Sequence, residues 1–323
     1  MFQSRRLFLA RGASLGAAVA ASGVAGCALP FGGPGVAAPA AGVTRVSLGA
    51  VTATTVSDGF AARPLADPEF VRNVPVATVR AALAEAGLPT DRVDVPFNPL
   101  IVDVRGQRVL FDVGNGEFGA PTSGTLLKNM AAAGISPDSI TAVVFSHFHG
   151  DHINGLRNKA GAIAFPKARI LVPAAEWNWW MDDARMNAAP EGMRGAFAGV
   201  RRVFGPIASS VTRFEAGVEV LPGIRSIAAY GHTPGHTAFT IDGGSRRLMY
   251  WADTTNVAAL FVRNPEWAVM FDMDPEAARQ VRRRLADRVV AEDMVLAGYH
   301  LTGSAIGTLG RRGNGYEFTA YKA

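Results

Sequence analysis

Three histidines and one aspartate fall within six consecutive positions, and all four side chains are common metal ligands. His147, His149, Asp151 and His152 follow the apolar run 140–145, which is typical of a buried strand. Side chains two apart on an extended chain point the same way, so the imidazoles of His147 and His149 should share one direction. Asp151 and His152 come after a glycine that permits a turn. The segment therefore predicts two ligand sets on one short loop.

The other histidines lie much further along the chain. Half of the six histidines occupy the segment above, and the rest are His232 and His236, in Gly-His-Thr-Pro-Gly-His-Thr, and His300, in Gly-Tyr-His-Leu. A lone histidine is usually an ordinary core or surface residue. Asp253 follows the strand-like run 248–251, where a turn aspartate is the alternative to a ligand. The clustering of half the histidines favours a metal site over incidental placement.

These residues in this order resemble the signature of the metallo-β-lactamase-fold hydrolases, which is His-x-His-x-Asp-His followed downstream by a His, an Asp and a His. The resemblance covers nearly all of the chain after residue 42. It implies an α+β protein built as an αββα four-layer sandwich. It also implies seven metal ligands: His147, His149 and His232 on one ion, Asp151, His152 and His300 on a second, and Asp253 bridging both.

Two further residues are expected to support the ligands. Either His232 or His236 could reach a metal, and the family places the ligand first, which leaves His236 beside the site or simply packed. Asp112 precedes Gly114 where the family has Asp-x-Gly near its metals. An ordinary aspartate at the end of a strand is the alternative for Asp112.

The ligand types suggest both the metal and the chemistry. Imidazole and carboxylate ligands without thiolate suit zinc, and they leave iron, manganese and cobalt open. Two divalent ions about 3.5 Å apart can share one water and lower its pKa from about 16 toward neutrality. We therefore expect hydrolysis by a metal-bridging hydroxide. Asp151 and Asp253 are the expected catalytic residues, because they hold metal and can carry the released proton.

Within the family, the chain is most similar to the methyl parathion hydrolase and lactonase-type group. The similarity rests on the Gly-His-Thr-Pro-Gly-His-Thr segment, on the tail Gly-Asn-Gly-Tyr at 313–316, and on Phe118 and Trp180, which match pocket positions of that group. It implies an aromatic-walled pocket for a neutral ester, which would be a lactone, an aryl ester or a phosphotriester. A redox member of the fold with one iron, of the persulfide dioxygenase type, and a metal-free binding module are the alternatives.

Residues 1–27 have the character of an export signal. Arg5 and Arg6 stand in a segment that resembles the twin-arginine signal, and a weakly apolar run follows. Val-Ala-Gly-Cys at 24–27 resembles the lipobox of bacterial lipoproteins, with Cys27 as the acylation site; cleavage after Ala40 is the alternative. Since Cys27 is the only cysteine, no internal disulfide can form. We expect a periplasmic protein that meets the membrane only through a lipid anchor.

The rest of the chain predicts one domain. Residues 28–42 are nearly all Ala, Gly and Pro, which is typical of a linker, and the hydrolase domain is expected at 43–323. The net charge of +5 includes three arginines before Cys27, so the remainder is near neutral and gives no case for nucleic acid binding. The sequence leaves open whether two chains form a homodimer. Patterning predicts helices at 76–86, 122–133, 174–183 and from an Asp274 cap, and strands around them, including 43–56, 100–104, 108–113 and 294–297.

Overall fold

The structure is a computed structural model that describes residues 42–65 and 70–322. The predicted signal 1–27 with Cys27, and the predicted linker except for Gly42, lie outside the described residues. Among the helices of the described part, none is long and apolar enough to cross a membrane.

The strands follow the chain in this order: β1 Val43–Leu48, β2 Val51–Val56, β3 Gly59–Pro64, β4 Arg92–Phe97, β5 Leu100–Val104, β6 Gln107–Phe111, β7 Ala142–Val144, β8 Arg169–Pro173, β9 Thr212–Phe214, β10 Glu219–Leu221, β11 Ile224–Ala228, β12 Thr237–Asp242, β13 Arg247–Tyr250, β14 Val295–Ala297, β15 Ile306–Arg312 and β16 Gly315–Ala320. The α-helices are α1 Val76–Glu85, α2 Leu126–Ala132, α3 Gly150–Ile153, α4 Ala174–Trp180, α5 Asp183–Ala188, α6 Glu191–Phe204 and α7 Pro275–Ala291.

The strands form two large sheets and a small one. The first sheet has the order β1-β2-β5-β6-β7-β8-β9, the second runs from β10 to β16 in chain order, and β3 pairs with β4 alone. Strands β6 to β9 are mutually parallel, and so are β13 and β14. The carboxyl ends of parallel strands meet at one edge of a sheet, so the loops that follow these strands are brought together.

Three apolar layers hold the sheets and helices together. Val102 and Phe111 of the first sheet pack with Phe239 and Tyr250 of the second in the central core. The outer face of the first sheet is covered by α2, α4 and α6, and that of the second by α7. Each of the two large sheets therefore buries both faces, as the continuous apolar runs of its central strands require. The predicted αββα sandwich of the α+β class is confirmed.

One predicted helix begins later than expected. The pattern predicted a helix from Thr122, but α2 starts at Leu126. The carboxylate of Asp58 accepts hydrogen bonds from the backbone N–H groups of Gly124, at 3.2 Å, and Leu126, at 2.9 Å. Because Asp58 satisfies the N–H groups that a helix leaves free at its start, it sets the first residue of α2.

Candidate metal centre

The seven predicted ligands all follow strand ends at the same edge of the sandwich. His147 and His149 lie in the loop after β7, and α3 carries Asp151 and His152. The second sheet supplies the others from three separate loops: His232 between β11 and β12, Asp253 after β13, and His300 after β14. The sheet topology therefore brings together residues that the sequence separates widely.

The ligand atoms form two groups that share a carboxylate. One group holds His147, His149, His232 and Asp253, the other holds Asp151, His152 and His300, and within each group the ligand atoms lie within 4.8 Å of one another. Asp253 also reaches the second group, since its Oδ2 is 2.9 Å from His300 Nε2 and its Oδ1 is 3.1 Å from His152 Nε2. The carboxylate of Asp253 thus lies between the two groups.

The donor set fits bound divalent ions. His147 Nε2, His152 Nε2 and Asp253 Oδ1 are buried, and none of them makes a hydrogen bond of good geometry with the described residues, although the last two atoms lie 3.1 Å apart. A buried polar atom left unpaired costs about 1–3 kcal/mol, so three such atoms facing one another would be a poor arrangement in a simple core. Imidazole nitrogens and carboxylate oxygens are the ligands that zinc and similar ions accept. Cations held between these groups would satisfy all three atoms.

Asp112 lies where it can orient His152. Its Oδ2 is 2.9 Å from His152 Nδ1 and accepts hydrogen bonds from the hydroxyl groups of Ser146 and Tyr250. Its other oxygen accepts the backbone N–H of Ser146. A carboxylate on Nδ1 fixes the ring and leaves Nε2 directed at the centre. The structure thus places Asp112 in the supporting position expected from the sequence.

Asp272 orients His232 in the same way, although no sequence pattern predicted this residue. Asp272 Oδ1 is 2.9 Å from His232 Nδ1, and the buried guanidinium of Arg282 lies 3.4 Å from the other carboxylate oxygen. Arg282 also donates to the backbone carbonyls of Thr254 and Trp267. No local pattern marks this contact, because Asp272 and His232 are 40 positions apart.

His236 holds the backbone of Asp253. Its Nε2 accepts the backbone N–H of Asp253 at 3.0 Å, and its Nδ1 donates to the carbonyl of Ala229 at 2.9 Å. Burial, together with repulsion from His232, lowers the pKa of His236 to about 3, so the ring is neutral and can accept. Ala252, just before Asp253, has a φ of 44°, a left-handed conformation that a non-glycine residue adopts only when its surroundings impose it.

The electrostatics leave some ligand rings neutral and others paired with carboxylates. Burial and neighbouring imidazoles lower the pKa values of His147 and His149 well below 6.5, so both offer lone pairs. Burial alone would also lower the pKa of His232, but hydrogen bonds to Asp253 and Asp272 raise it to about 9. Burial opposes ionisation of Asp253, yet His300 and His152 hold its pKa well below the usual range. Asp253 is therefore ionised, and a cation would compete with protons for His232.

Two other residues that sequence reasoning missed hold the second ligand group. The Tyr299 hydroxyl donates to the Asp151 carbonyl at 2.6 Å, and its ring lies 3.9 Å from the His152 ring, centroid to centroid. Asn98 donates to the carbonyls of Tyr299 and Leu301, on either side of His300. Asn98 and Tyr299 are 201 positions apart, so only the folded chain reveals their role.

A pocket of about 520 Å³ opens over the ligands. Its walls include the apolar side chains of Val95, Phe97, Phe118 and Phe271, and its floor includes His149, Asp151, Asp253 and His300. Phe118 therefore lies where the sequence analysis expected it. Trp180 does not line this pocket: it is only 1% exposed and packs in the core beneath α6, with its Nε1 donating to Glu176. The prediction of Trp180 as a pocket residue was wrong because the indole points into the layer between α4 and α6.

Residues 96–300 match the sequence profile of the metallo-beta-lactamase superfamily, so the chain belongs to this superfamily. It is an enzyme of that class with a histidine and aspartate metal site.

Two solved structures share this fold closely. The dizinc quorum-quenching lactonase AidC, in complex with the product N-hexnoyl-L-homoserine, superposes with a TM-score of 0.81 at 24% identity, over 88% of this chain and 99% of that one. The hydrolase AbOPH gives a TM-score of 0.80 at 22% identity, over 87% and 99%.

A local similarity to a curated relative also exists. Ribonuclease Z of Pyrococcus abyssi is 40% identical over 68 residues, which are 21% of this chain and 19% of the relative. The chain therefore matches only about a fifth of that protein's length.

Proposed function

We propose that this protein is a dinuclear metal-dependent hydrolase of neutral esters, with lactones, aryl esters and phosphotriesters as the substrate classes. The observation that carries the proposal is the Asp253 carboxylate, which lies between two complete ligand groups. A protein that used one ion would need neither the second group nor a carboxylate shared by both. The likeness of fold to a dizinc lactonase supports the same reading.

His147, His149 and His232 would hold one ion, Asp151, His152 and His300 the other, and Asp253 both. Zinc is the proposed metal, because the ligands are imidazoles and carboxylates in closely packed groups. Bound together, two such ions supply a water of lowered pKa and polarise the substrate oxygen under attack.

The chain's own residues orient the ligands and handle the proton. Asp112, Asp272 and the Tyr299 hydroxyl fix ligand rings and backbone before substrate arrives. Asp151 lines the pocket with a side chain that is 25% exposed, whereas that of Asp253 is 4% exposed. Asp151 is therefore the residue better placed to take up the proton released by hydrolysis and pass it to solvent.

The pocket favours substrates without charge. Val95, Phe97, Phe118 and Phe271 present apolar surface to whatever enters, and such surface cannot replace the hydration of a dianion. Arg63 also lines the pocket, with its guanidinium 5.6 Å from the centroid of the Phe271 ring. A flat aryl or acyl group would bury area against these rings.

The proposal is tested by measuring kcat/KM on p-nitrophenyl acetate, a γ-lactone, a phosphotriester and p-nitrophenyl phosphate. We expect at least one neutral substrate to exceed the anionic phosphate monoester by tenfold or more. A preference for the monoester would contradict the substrate class. One iron per chain with oxygen consumption would instead indicate the redox alternative, and would contradict the hydrolase.

We also propose that the protein is exported by the twin-arginine route and anchored in the periplasm through Cys27. The sequence features that support this are the paired Arg5 and Arg6 and the Val-Ala-Gly-Cys segment ending at Cys27.

A further inference from the structure

A buried glutamate joins the two loops that carry the histidines of the first ligand group. Glu176 lies on α4, its side chain is fully buried, and every partner of its carboxylate is a hydrogen-bond donor. These donors are the backbone N–H of Phe148, Trp180 Nε1, the Thr233 hydroxyl and the backbone N–H of Gly235. Among the described residues, none forms an ion pair with Glu176.

The two carboxylate oxygens serve different loops. Oε2 accepts from Phe148 N, at 3.0 Å, and from Trp180 Nε1, at 2.8 Å. Oε1 accepts from the Thr233 hydroxyl and from Gly235 N, at 2.7 Å. Phe148 stands between two predicted ligands, and Thr233 directly follows a third. One side chain therefore fixes the distance between the two loops.

The second loop is packed tightly against α4. A Cβ at Gly235 would lie 2.3 Å from the backbone nitrogen of Glu176, so only glycine permits this approach. Directly after this loop, the backbone N–H of Thr237, the first residue of β12, donates to the carbonyl of Ser146 at 2.9 Å. The ring centroids of His149 and His232 are then 4.6 Å apart.

Burying a carboxylate is costly, and burial raises the pKa of Glu176 while its four donors lower it. An apolar residue would fill the same space under α4 without this cost. The second ligand group is held by other residues, namely Asp112, Tyr299 and Asn98. The hydrogen bonds of Glu176 to loop residues therefore involve only the loops that carry the histidines of the first ligand group.

We infer that Glu176 is a positioning residue, which sets the spacing of His147, His149 and His232 for one metal ion and leaves the other ion's ligands unaffected. The inference rests on the proposed dinuclear site. It assigns the residue no contact with substrate or metal. Its action is to hold two loops at the separation that the three imidazoles need.

The test uses Glu176→Gln in the full protein. Glutamine keeps the shape of glutamate but replaces one carboxylate oxygen with an NH₂ group. That NH₂ group would point at two groups that are themselves hydrogen-bond donors, so their hydrogen bonds would be lost. Zinc affinities are measured by competition with a chromophoric chelator, and cobalt absorption spectra report the ligand geometry. We expect one affinity to fall by tenfold or more and the other to stay within twofold of the wild type.

Four further substitutions make the result specific. Val289→Ala, in the core beneath α7, is the control for general loss of stability, and should lower Tm without changing either zinc affinity. The effect of Glu176→Gln on zinc affinity should disappear in a His232→Ala background and persist in a His300→Ala background. Thr233→Val is the substitute test in case Glu176→Gln does not fold. It removes only one of the donors to Glu176 and should weaken the same zinc affinity by at least threefold.

Equal weakening of both affinities, or affinities within twofold of the wild type for both ions, would overturn the inference. Persistence of the full effect in the His232→Ala background would also overturn it. Failure of the wild type to bind two ions would instead count against the proposed function, which keeps the two conclusions apart.

Discussion

At the scale of single residues, Asp272 offers a sharp test of how the ligands are held. Asp272→Ala removes the acceptor from His232 Nδ1, so the ring loses its fixed orientation. We expect zinc affinity to fall by about 10–100-fold. The control is Asp274→Ala, two positions away, which removes the cap of α7 at a cost of about 1 kcal/mol and should leave zinc affinity unchanged. Chelator competition on both variants measures the difference, and equal zinc affinities would contradict this role.

The pocket gives a second prediction. Phe118 lines the pocket and is held from behind by Arg202, whose guanidinium is 3.7 Å from the ring centroid and donates to Asn154. Phe118→Ala should lower kcat/KM for an aryl ester by about tenfold, since burial of an aromatic ring contributes about 1.5–3 kcal/mol. Trp180→Phe should lower Tm and leave the ratio of rates between ester classes unchanged. If Trp180→Phe changed this ratio and Phe118→Ala did not, then Trp180 and not Phe118 would be the residue that contacts the substrate.

The residues of the proposed metal site could be identified from the sequence because their signal is local or ordered along the chain, as the spacing of His147, His149 and His152 shows. Their supporting residues were not predictable in the same way. Glu176 lies 59 positions from Gly235, and Asp272 lies 40 positions from His232. Aspartates and glutamates are common in loops and helices, so only the folded chain distinguishes these two from solvated ones.

At the scale of elements, α3 depends on a close backbone contact. The N–H of Gly155 donates to the carbonyl of Gly114, and a Cβ at Gly155 would lie 1.9 Å from the carbonyl oxygen of Val113. Gly155→Ala should therefore displace the segment that carries Asp151 and His152, lowering stability by about 1–3 kcal/mol and weakening zinc binding.

The matched control for that substitution is Gly195→Ala in α6, where a Cβ would meet no atom within 4 Å. It should stabilise the protein by about 0.5–1 kcal/mol, because alanine loses less entropy in a helix. Thermal unfolding of both variants is the measurement. A Gly155→Ala protein as stable as the wild type would contradict this prediction, because it would show that the backbone at Gly155 and Val113 can move apart at little cost.

Elements with strong end signals were predicted well. Helix α7 begins as its cap and proline indicated, with the Asp274 side chain accepting from Ala277 N. Helix α6 was missed, although Phe197, Val200, Val203 and Phe204 form a buried stripe at helical spacing. Glycines in the segment 191–204 obscured that pattern, since they weaken a helix prediction based on local preference.

At the scale of the whole molecule, the export proposal predicts where variants accumulate. Arg5→Lys combined with Arg6→Lys should leave precursor in the cytoplasm, whereas Arg11→Lys, which changes the remaining nearby arginine, should not. Cys27→Ala should release a soluble or unprocessed form. Cell fractionation with immunodetection gives the answer, and unchanged membrane association of the Cys27→Ala protein would argue against lipidation.

The layered architecture followed from the resemblance and not from any repeat in the chain. Pairing between distant strands, such as parallel β13 and β14 separated by the whole of α7, has no local signal. The same is true of β3 and β4, which pair apart from the two large sheets. Sequence periodicity indicates that a strand exists, but the pairing partner is set by which faces must be buried together.

The central claim is that hydrolysis needs two metal ions in one site. It is tested most directly by adding zinc in known amounts to chelator-stripped protein and following hydrolysis of p-nitrophenyl acetate. The account predicts that the rate rises to its maximum only when two equivalents are bound per chain, and that Asp253→Ala remains folded but reaches no more than a few per cent of that rate. Full activity with one equivalent, or an active Asp253→Ala protein, would contradict it.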